Sequence, residues 1–238
     1  MWGLTDLSRR ALGGGWQVYH AIMILCGILY LASLLIDPGA LLNPRGLTGL
    51  LSPSMRALTR LGMTGAAALR QGQWWTLFTA LYLHGGLLHF LFNMLWLRQL
   101  GSMVQELCRG TLFFVIFTAS GVIGMLASSL VGIGFTIGAS GAILGLMGAL
   151  VSYGRRRGGL LGTLMYRNLL LWALLVLIMG MMTPGVNNVA HVSGFATGFL
   201  LSWLLHGQRG PRSSLLLRVL GTGLLVLTFL SFVLMLLR

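Results

Sequence analysis

Long apolar runs, separated by shorter polar stretches, divide the chain into seven hydrophobic segments. Each run approaches the roughly 20 apolar residues that an α-helix needs to cross a bilayer. The predicted spans are Trp16–Ile36, Leu77–Leu100, Leu112–Leu130, Ile137–Tyr153, Asn168–Met182, Val189–Leu205 and Leu215–Leu237. The pattern therefore predicts an all-α fold, a multi-pass bundle of membrane-spanning helices.

The spans are not equally apolar, and this difference indicates where they lie. The fourth, fifth and sixth are short and are interrupted by glycine and polar residues. Such segments belong inside a bundle, where protein rather than lipid satisfies their polar groups. Between the first two spans, residues Ser54–Leu69 could form a short amphipathic helix lying at the membrane interface.

The composition supports lipid as the solvent of this fold. Apolar residues make up 56% of the chain and charged residues 8%, whereas a soluble domain carries roughly 25% charged residues. The 35 glycines are typical of helices whose backbones pack closely in a membrane.

The net charge of +13 comes from arginines that lie between the apolar runs, with no lysine in the chain. This arrangement is typical of membrane orientation rather than of nucleic-acid binding. The second, fourth and sixth connections carry arginine, and the third and fifth carry no charge, so we expect a cytoplasmic N-terminus in a bacterial inner (plasma) membrane. The first connection conflicts with this assignment but is long and receives less weight. Arg9-Arg10 is similar to an export signal, yet we expect an uncleaved first helix.

Polar side chains at membrane depth are the candidates for chemistry. His89 and Asn93 are four residues apart and therefore share a helical face. His84 is five residues before His89, which on a continuous helix turns it about 140° away. This spacing makes the two histidines a poor chelating pair. Neither cysteine indicates a metal site or a disulfide, so no metal or cofactor is expected.

A nucleophile and base are available in Ser140 and His191. The three carboxylates, Asp6, Asp37 and Glu106, are not placed to support a buried histidine. This argues against a three-member serine triad and leaves a two-member serine–histidine pair. Each motif alone is more typical of helix packing than of catalysis.

Taken in chain order, the motifs resemble the rhomboid family of intramembrane serine proteases. The resemblance extends from about Trp16 to Leu205. The matching stretches are Gly72-Gln73-Trp74-Trp75, His84 through His89 to Asn93, Gly138-Ala139-Ser140-Gly141, and Ala190-His191-Val192-Ser193-Gly194 with Gly198.

The resemblance implies a six-helix core whose fourth helix starts mid-bundle, at the bottom of a water-filled cavity. Ser140 would be the nucleophile and His191 its general base. His89, Asn93 and the Ser140 N–H would form the oxyanion hole. The structural residues near this site would be Gly138, Gly141, His84, Gly194 and Gly198, of which the last two would let the sixth helix press against the fourth.

The family likeness also implies a domain layout and a substrate class. Residues 1–210 would form the catalytic core with a cytoplasmic N-terminal tail, and residues 211–238 an additional C-terminal transmembrane helix. The partners would be the lipid bilayer and single-pass transmembrane proteins, cleaved near the outer end of their helix. The sequence does not indicate an oligomeric state.

Two departures from the family pattern affect the site. Thr76 stands where the family usually has arginine, and Leu144 stands where an aromatic residue commonly stacks on the catalytic imidazole. Two other functions stay open: a related membrane protein that escorts clients without cutting them, and a transporter or metal carrier. Retention of both Ser140 and His191 argues against the first, and the lack of acidic residues inside the spans argues against the second.

Overall fold

The structure, a computed structural model, describes residues 17–38, 50–107, 110–205 and 211–238, without the side chains of residues 211–214. These residues form ten α-helices. A 3₁₀ turn, Ala80–Tyr82, directly follows the fourth of them. The helices are α1 (Val18–Ile36), α2 (Met55–Arg60), α3 (Ala66–Arg70), α4 (Thr76–Thr79), α5 (Leu87–Leu107), α6 (Gly110–Leu130), α7 (Ser140–Arg157), α8 (Gly159–Met182), α9 (Asn188–Leu205) and α10 (Pro211–Leu236).

The long helices confirm the predicted all-α membrane bundle. Five of them, α1, α6, α8, α9 and α10, are long and apolar enough to cross a bilayer, and α4 with its 3₁₀ turn forms a bent sixth candidate with α5. Helix α7 is not in that set, but 13 of its 18 residues are buried. Because α5, α6, α8 and α9 all lie against it, α7 forms the centre of the bundle.

The second span differs from the prediction of one continuous helix over Leu77–Leu100. The chain instead bends by 91° between Thr76–Tyr82 and Leu87–Leu107. Leu83 is extended, with φ −90° and ψ 149°. The N–H of Gly85 donates to Nδ1 of His89 at 3.3 Å, so the side chain of His89 satisfies a backbone donor where α5 begins.

The segment before α4 also differs from the prediction. The single helix expected over Ser54–Leu69 is wrong, because two short helices, α2 and α3, occupy this region. Between them Gly62 has φ +85°, a conformation that favours glycine. Its carbonyl accepts a hydrogen bond from the Thr79 hydroxyl at 2.8 Å, which ties the turn to α4.

One of the later helices differs from its predicted bounds, and the last helix packs on the core. Helix α8 begins at Gly159, nine residues before the predicted start at Asn168, and its first turns are exposed and partly polar. Helix α10 packs on the core through Gly221, where an added Cβ would lie 2.7 Å from Thr111 Cγ2. The ring of Phe232 on α10 lies 5.6 Å from that of Tyr82.

Candidate active site

The nucleophile candidate is carried by a loop that glycine shapes. Gly138 has φ +113°, a conformation rarely adopted by other residues. Its N–H donates to the carbonyl of Ala80 at 2.9 Å. A Cβ at this position would lie 2.7 Å from Nε2 of His89. Gly138 therefore allows the loop to turn and lets the imidazole of His89 lie against it.

Ser140 is the first residue of α7 and is half-buried. The first N–H groups of a helix have no acceptor within the helix, and the helix dipole makes this end positive. The fifteen residues from Ser140 to Gly154, which precede the arginines of the last turn, rise about 22 Å, whereas the hydrocarbon core is about 30 Å thick. The helical rise from Ser140 to those arginines is therefore shorter than the hydrocarbon core is thick.

His191, in the first turn of α9, approaches Ser140 from the facing helix. Its Nε2 lies 2.8 Å from the Ser140 Oγ, and its side chain is 5% exposed. For Nε2 to accept a hydrogen bond from the serine hydroxyl, the neutral ring must carry its own proton on Nδ1. The structure thus brings together the two residues expected to form the serine–histidine pair, although their catalytic roles stay predictions.

Glycines set the distance between α7 and α9. A Cβ at Gly194 would lie 2.8 Å from the carbonyl carbon of Gly141, and a Cβ at Gly198 would lie 2.6 Å from the Cα of Gly145. Carbon atoms in contact are ordinarily about 3.5–4.0 Å apart. Side chains at these positions would push α9 away from α7, and His191 would move with it.

Asn188 contacts the other side of His191, and the sequence analysis did not identify it. Its Oδ1 lies 3.2 Å from Nδ1 of His191, and its Nδ2 donates to the carbonyl of Leu177 on α8 at 2.9 Å. From the sequence, only carboxylates were considered as partners of His191. The three-residue spacing from Asn188 to His191 was the available signal, since residues at that spacing face each other on a helix.

The predicted oxyanion residues both lie on α5. His89 accepts from the Gly85 N–H through Nδ1, so its proton is on Nε2, the atom next to Gly138. Asn93 is buried, and its Nδ2 donates to the carbonyl of His89 at 2.7 Å. An amide nitrogen has two hydrogens, so one N–H of Asn93 is left for another acceptor. The oxyanion role of both residues stays a prediction.

His84 does not lie where the helical spacing placed it. It precedes α5, on the bent connection, so the expected separation of about 140° from His89 does not apply. The two rings lie 5.2 Å apart, and the Phe90 ring lies 5.4 Å from that of His84. His84 is fully buried and packs behind His89 as a support.

Thr76, the residue in the place of the family arginine, takes part in a polar link between loops. Its hydroxyl donates to the carbonyl of Gln73 at 2.7 Å and lies 2.9 Å from the hydroxyl of Thr64. The Thr64 carbonyl accepts from the Thr136 N–H at 2.7 Å, and the Thr136 hydroxyl accepts from Nδ2 of Asn187 at 2.9 Å. The link runs from the first connection to the residue that precedes α9.

No group of three or more His, Cys, Asp or Glu side chains that could hold a metal ion lies among the described residues, 17–38, 50–107, 110–205 and 211–238. Cys108, one of the two cysteines considered above, lies outside the described residues. Cys26 is a free thiol buried in α1.

Comparison with known proteins agrees with the family resemblance of the sequence. The model of the Rhomboid domain family matches residues 71–208, more than half of the chain. Rhomboid protease GluP of Bacillus subtilis (strain 168) is 30% identical over 180 residues, covering 73% of this chain and 36% of that protein. RHOMBOID-like protein 5 of Arabidopsis thaliana is 32% identical over 165 residues, covering 66% of this chain and 52% of that protein. This chain thus spans between about a third and a half of the length of these two relatives.

Proposed function

This chain belongs to the rhomboid family, and we propose that it is an intramembrane serine endopeptidase in which Ser140 is the nucleophile and His191 the general base. The distance of 2.8 Å between the Ser140 Oγ and Nε2 of His191 carries the proposal. It is a hydrogen-bond distance at which the imidazole can take the hydroxyl proton.

The proposed reaction follows from this contact. As the Ser140 Oγ attacks the scissile carbonyl, its proton moves to Nε2 of His191. The imidazolium then gives that proton to the leaving amine, and the new N-terminus departs from an ester between Ser140 and the substrate. A water molecule, deprotonated by the same Nε2, hydrolyses the ester and returns the enzyme to its starting state.

Three donors would stabilise the negative charge that forms on the carbonyl oxygen. The backbone N–H of Ser140 lies at the positive end of α7, where no residue of the helix accepts it. The Nε2–H of His89 lies beside Gly138, two residues before the nucleophile. Asn93 would supply the second N–H of its amide. Donors fixed before the reaction stabilise the transition state most effectively.

The proposed substrates are single-pass transmembrane proteins, cleaved near the outer end of their helix. The position of Ser140 at the start of α7, about 22 Å from the arginine-bearing end, supports a cut below the membrane surface. A transmembrane helix uses its carbonyls in its own hydrogen bonds. The segment to be cut must therefore unwind, which small and helix-destabilising residues permit.

The proposed placement in the membrane follows from the arginines. Arg155, Arg156 and Arg157 end α7 on the side away from Ser140, and by the positive-inside rule this side is cytoplasmic. The N-terminus would lie on the same side of a bacterial inner membrane. Residues 1–210 would form the catalytic core, and residues 211–238 the additional C-terminal helix.

Labelling with a fluorophosphonate tests the proposal, because this reagent reacts with an activated serine. The purified wild type should be labelled in detergent, and the Ser140→Ala and His191→Ala variants should not. Ser193→Ala makes the same serine substitution on α9 and should behave as the wild type. The wild type should also cleave a model transmembrane substrate in proteoliposomes. A wild type that is folded yet neither labelled nor active would favour the escort function instead.

A further inference from the structure

Asn188 lies on the side of His191 opposite to Ser140, and no part of the serine–histidine mechanism uses it. We propose that Asn188 is a positioning residue that holds the imidazole of His191 in the tautomer and orientation required to accept the serine proton. This inference rests on the proposed function of Ser140 and His191. The lack of nearby carboxylates predicted a pair, Ser140 and His191, rather than a triad. Asn188 would join this pair as a third member, with a neutral amide in the place of a carboxylate.

The first step of the argument is the direction of the hydrogen bond. Oδ1 of Asn188 lies 3.2 Å from Nδ1 of His191, and Nε2 of the same ring lies 2.8 Å from the Ser140 Oγ. A side-chain carbonyl can only accept a hydrogen bond, so it favours the tautomer with the proton on Nδ1. This tautomer leaves the lone pair of Nε2 directed at the serine hydroxyl.

The amide of Asn188 is itself oriented by a second helix. Its Nδ2 donates to the Leu177 carbonyl on α8 at 2.9 Å. If the amide rotated by half a turn, its nitrogen would face the Nδ1–H of His191 and its oxygen would face a carbonyl oxygen. Both contacts would be repulsive, so the Leu177 carbonyl directs Oδ1 toward the imidazole.

Gly180 on α8 provides the space for this amide. A Cβ at Gly180 would lie 3.1 Å from Cγ of Asn188 and closer still to its Oδ1. The same Cβ would lie 2.8 Å from Cγ1 of Val186, whose side chain is 39% exposed and has room to move. Any residue larger than glycine would therefore displace the amide of Asn188 first.

A neutral acceptor also fits the burial of the site. His191 is 5% exposed, and burying a carboxylate beside it would cost far more than burying an amide that makes two hydrogen bonds. Leu144, in the place of the family's stacking aromatic residue, is buried one helical turn after Ser140. With an aliphatic residue at that place, the hydrogen bond that His191 donates to Asn188 supplies the restraint on the ring.

The first experiment replaces the amide by a side chain of similar size that accepts no hydrogen bond. Asn188→Leu should lower both the fluorophosphonate labelling rate and kcat by about 10- to 100-fold, the loss typical at metal sites when the hydrogen bond that orients a histidine is removed. KM should not change, because Asn188 does not touch the substrate. Asn168→Leu makes the same replacement at an exposed position of α8 and should match the wild type. Wild-type kcat in a folded Asn188→Leu protein would overturn the proposal.

A double-mutant cycle tests the role of Gly180. Gly180→Ala should slow labelling in the wild-type background, because the new methyl group displaces the amide. In the Asn188→Ala background it should cause no further loss, since no amide is left to displace. Equal losses in both backgrounds would overturn the proposed coupling between α8 and His191.

A spectroscopic measurement separates this inference from the proposed function. In ¹⁵N-histidine NMR spectra of the folded protein, with the signals of His191 assigned by a His191→Gln variant, the wild type should carry its ring proton on Nδ1. Asn188→Leu should shift the tautomer population toward Nε2–H. An unchanged tautomer would overturn the role of Asn188, even if Ser140 is labelled. A wild type that is not labelled would contradict the protease function, while the tautomer would still test Asn188.

Discussion

Replacement of Gly194 by alanine tests whether the packing of α9 on α7 sets the geometry of the site. The added Cβ would lie 2.8 Å from the carbonyl carbon and 3.1 Å from the Cα of Gly141, whereas such atoms are ordinarily about 3.5–4.0 Å apart. The atoms that the new Cβ meets are backbone atoms of Gly141 on α7, which cannot turn aside. Relief of the overlap therefore requires that α9 moves away by about 0.5–1 Å.

His191 lies one helical turn before Gly194 and would move with it. The distance from Nε2 of His191 to the Ser140 Oγ would increase from 2.8 Å toward about 3.5 Å, the limit of a hydrogen bond. A misplacement of about 1 Å can cost about 10²-fold in rate. We therefore expect Gly194→Ala to slow fluorophosphonate labelling and kcat by about 10²-fold. Overpacking should also lower the free energy of unfolding by about 1–3 kcal/mol.

The matched control is Gly223→Ala on α10, where an added Cβ meets no atom within 4 Å. It should leave the labelling rate and the kcat unchanged and should not lower the melting temperature, because alanine is the better helix former. Labelling rates in detergent and thermal melts of the same preparations give both quantities. If folded Gly194→Ala is labelled as fast as the wild type while its melting temperature falls, the helix contact contributes stability but does not set the distance between the serine and the histidine.

Three further predictions concern the oxyanion donors, the last helix and metal dependence. Asn93→Ala should lower turnover of a transmembrane substrate by about 10²–10³-fold, the usual cost of one lost oxyanion donor, yet leave Ser140 open to labelling. If the variant turns over substrate as fast as the wild type, Asn93 is only a packing residue. A chain truncated after Gly210 should keep labelling and cleavage but melt at a lower temperature, because Tyr82 loses its contact with Phe232. A truncated chain that is folded but inactive would place α10 in the active site or the substrate gate. Cleavage should resist EDTA, since the mechanism uses no metal ion, and strong inhibition by a chelator would contradict it.

The hydrophobic pattern predicted the number and approximate place of the long helices but not the bend before α5. Apolar runs lie on both sides of His84-Gly85-Gly86, and hydropathy does not report the direction of the chain. The bend depends on contacts between distant residues, such as the Leu87 N–H with the Leu50 carbonyl at 3.0 Å. For this reason the relation of His84 to His89 was also predicted wrongly.

The candidate site was predictable to the extent that its residues carry distinctive chemistry. Ser140 and His191 are conspicuous because few polar groups lie at membrane depth, and the glycines near them indicate close packing. The sequence did not distinguish Gly221, which packs against Thr111, from Gly223, which has no neighbour within 4 Å of an added Cβ. The spacing of Asn188 and His191 indicated that they share a helical face, but the orientation of the amide was not predictable, since it depends on Leu177 and Gly180 of another helix.

The central position of α7 has a consequence for the biogenesis of the protein. This helix is not among those apolar enough to span a bilayer by themselves, and three of its 18 residues are arginines in its last turn. A nascent segment of this kind has a low tendency to leave the insertion machinery for lipid. It requires partner helices that cover it, and α9, which packs on it through Gly194 and Gly198, is synthesised later. Ser140 therefore meets His191 only after the translation of α9, and under the proposed mechanism an incomplete chain emerging from the ribosome would be inactive.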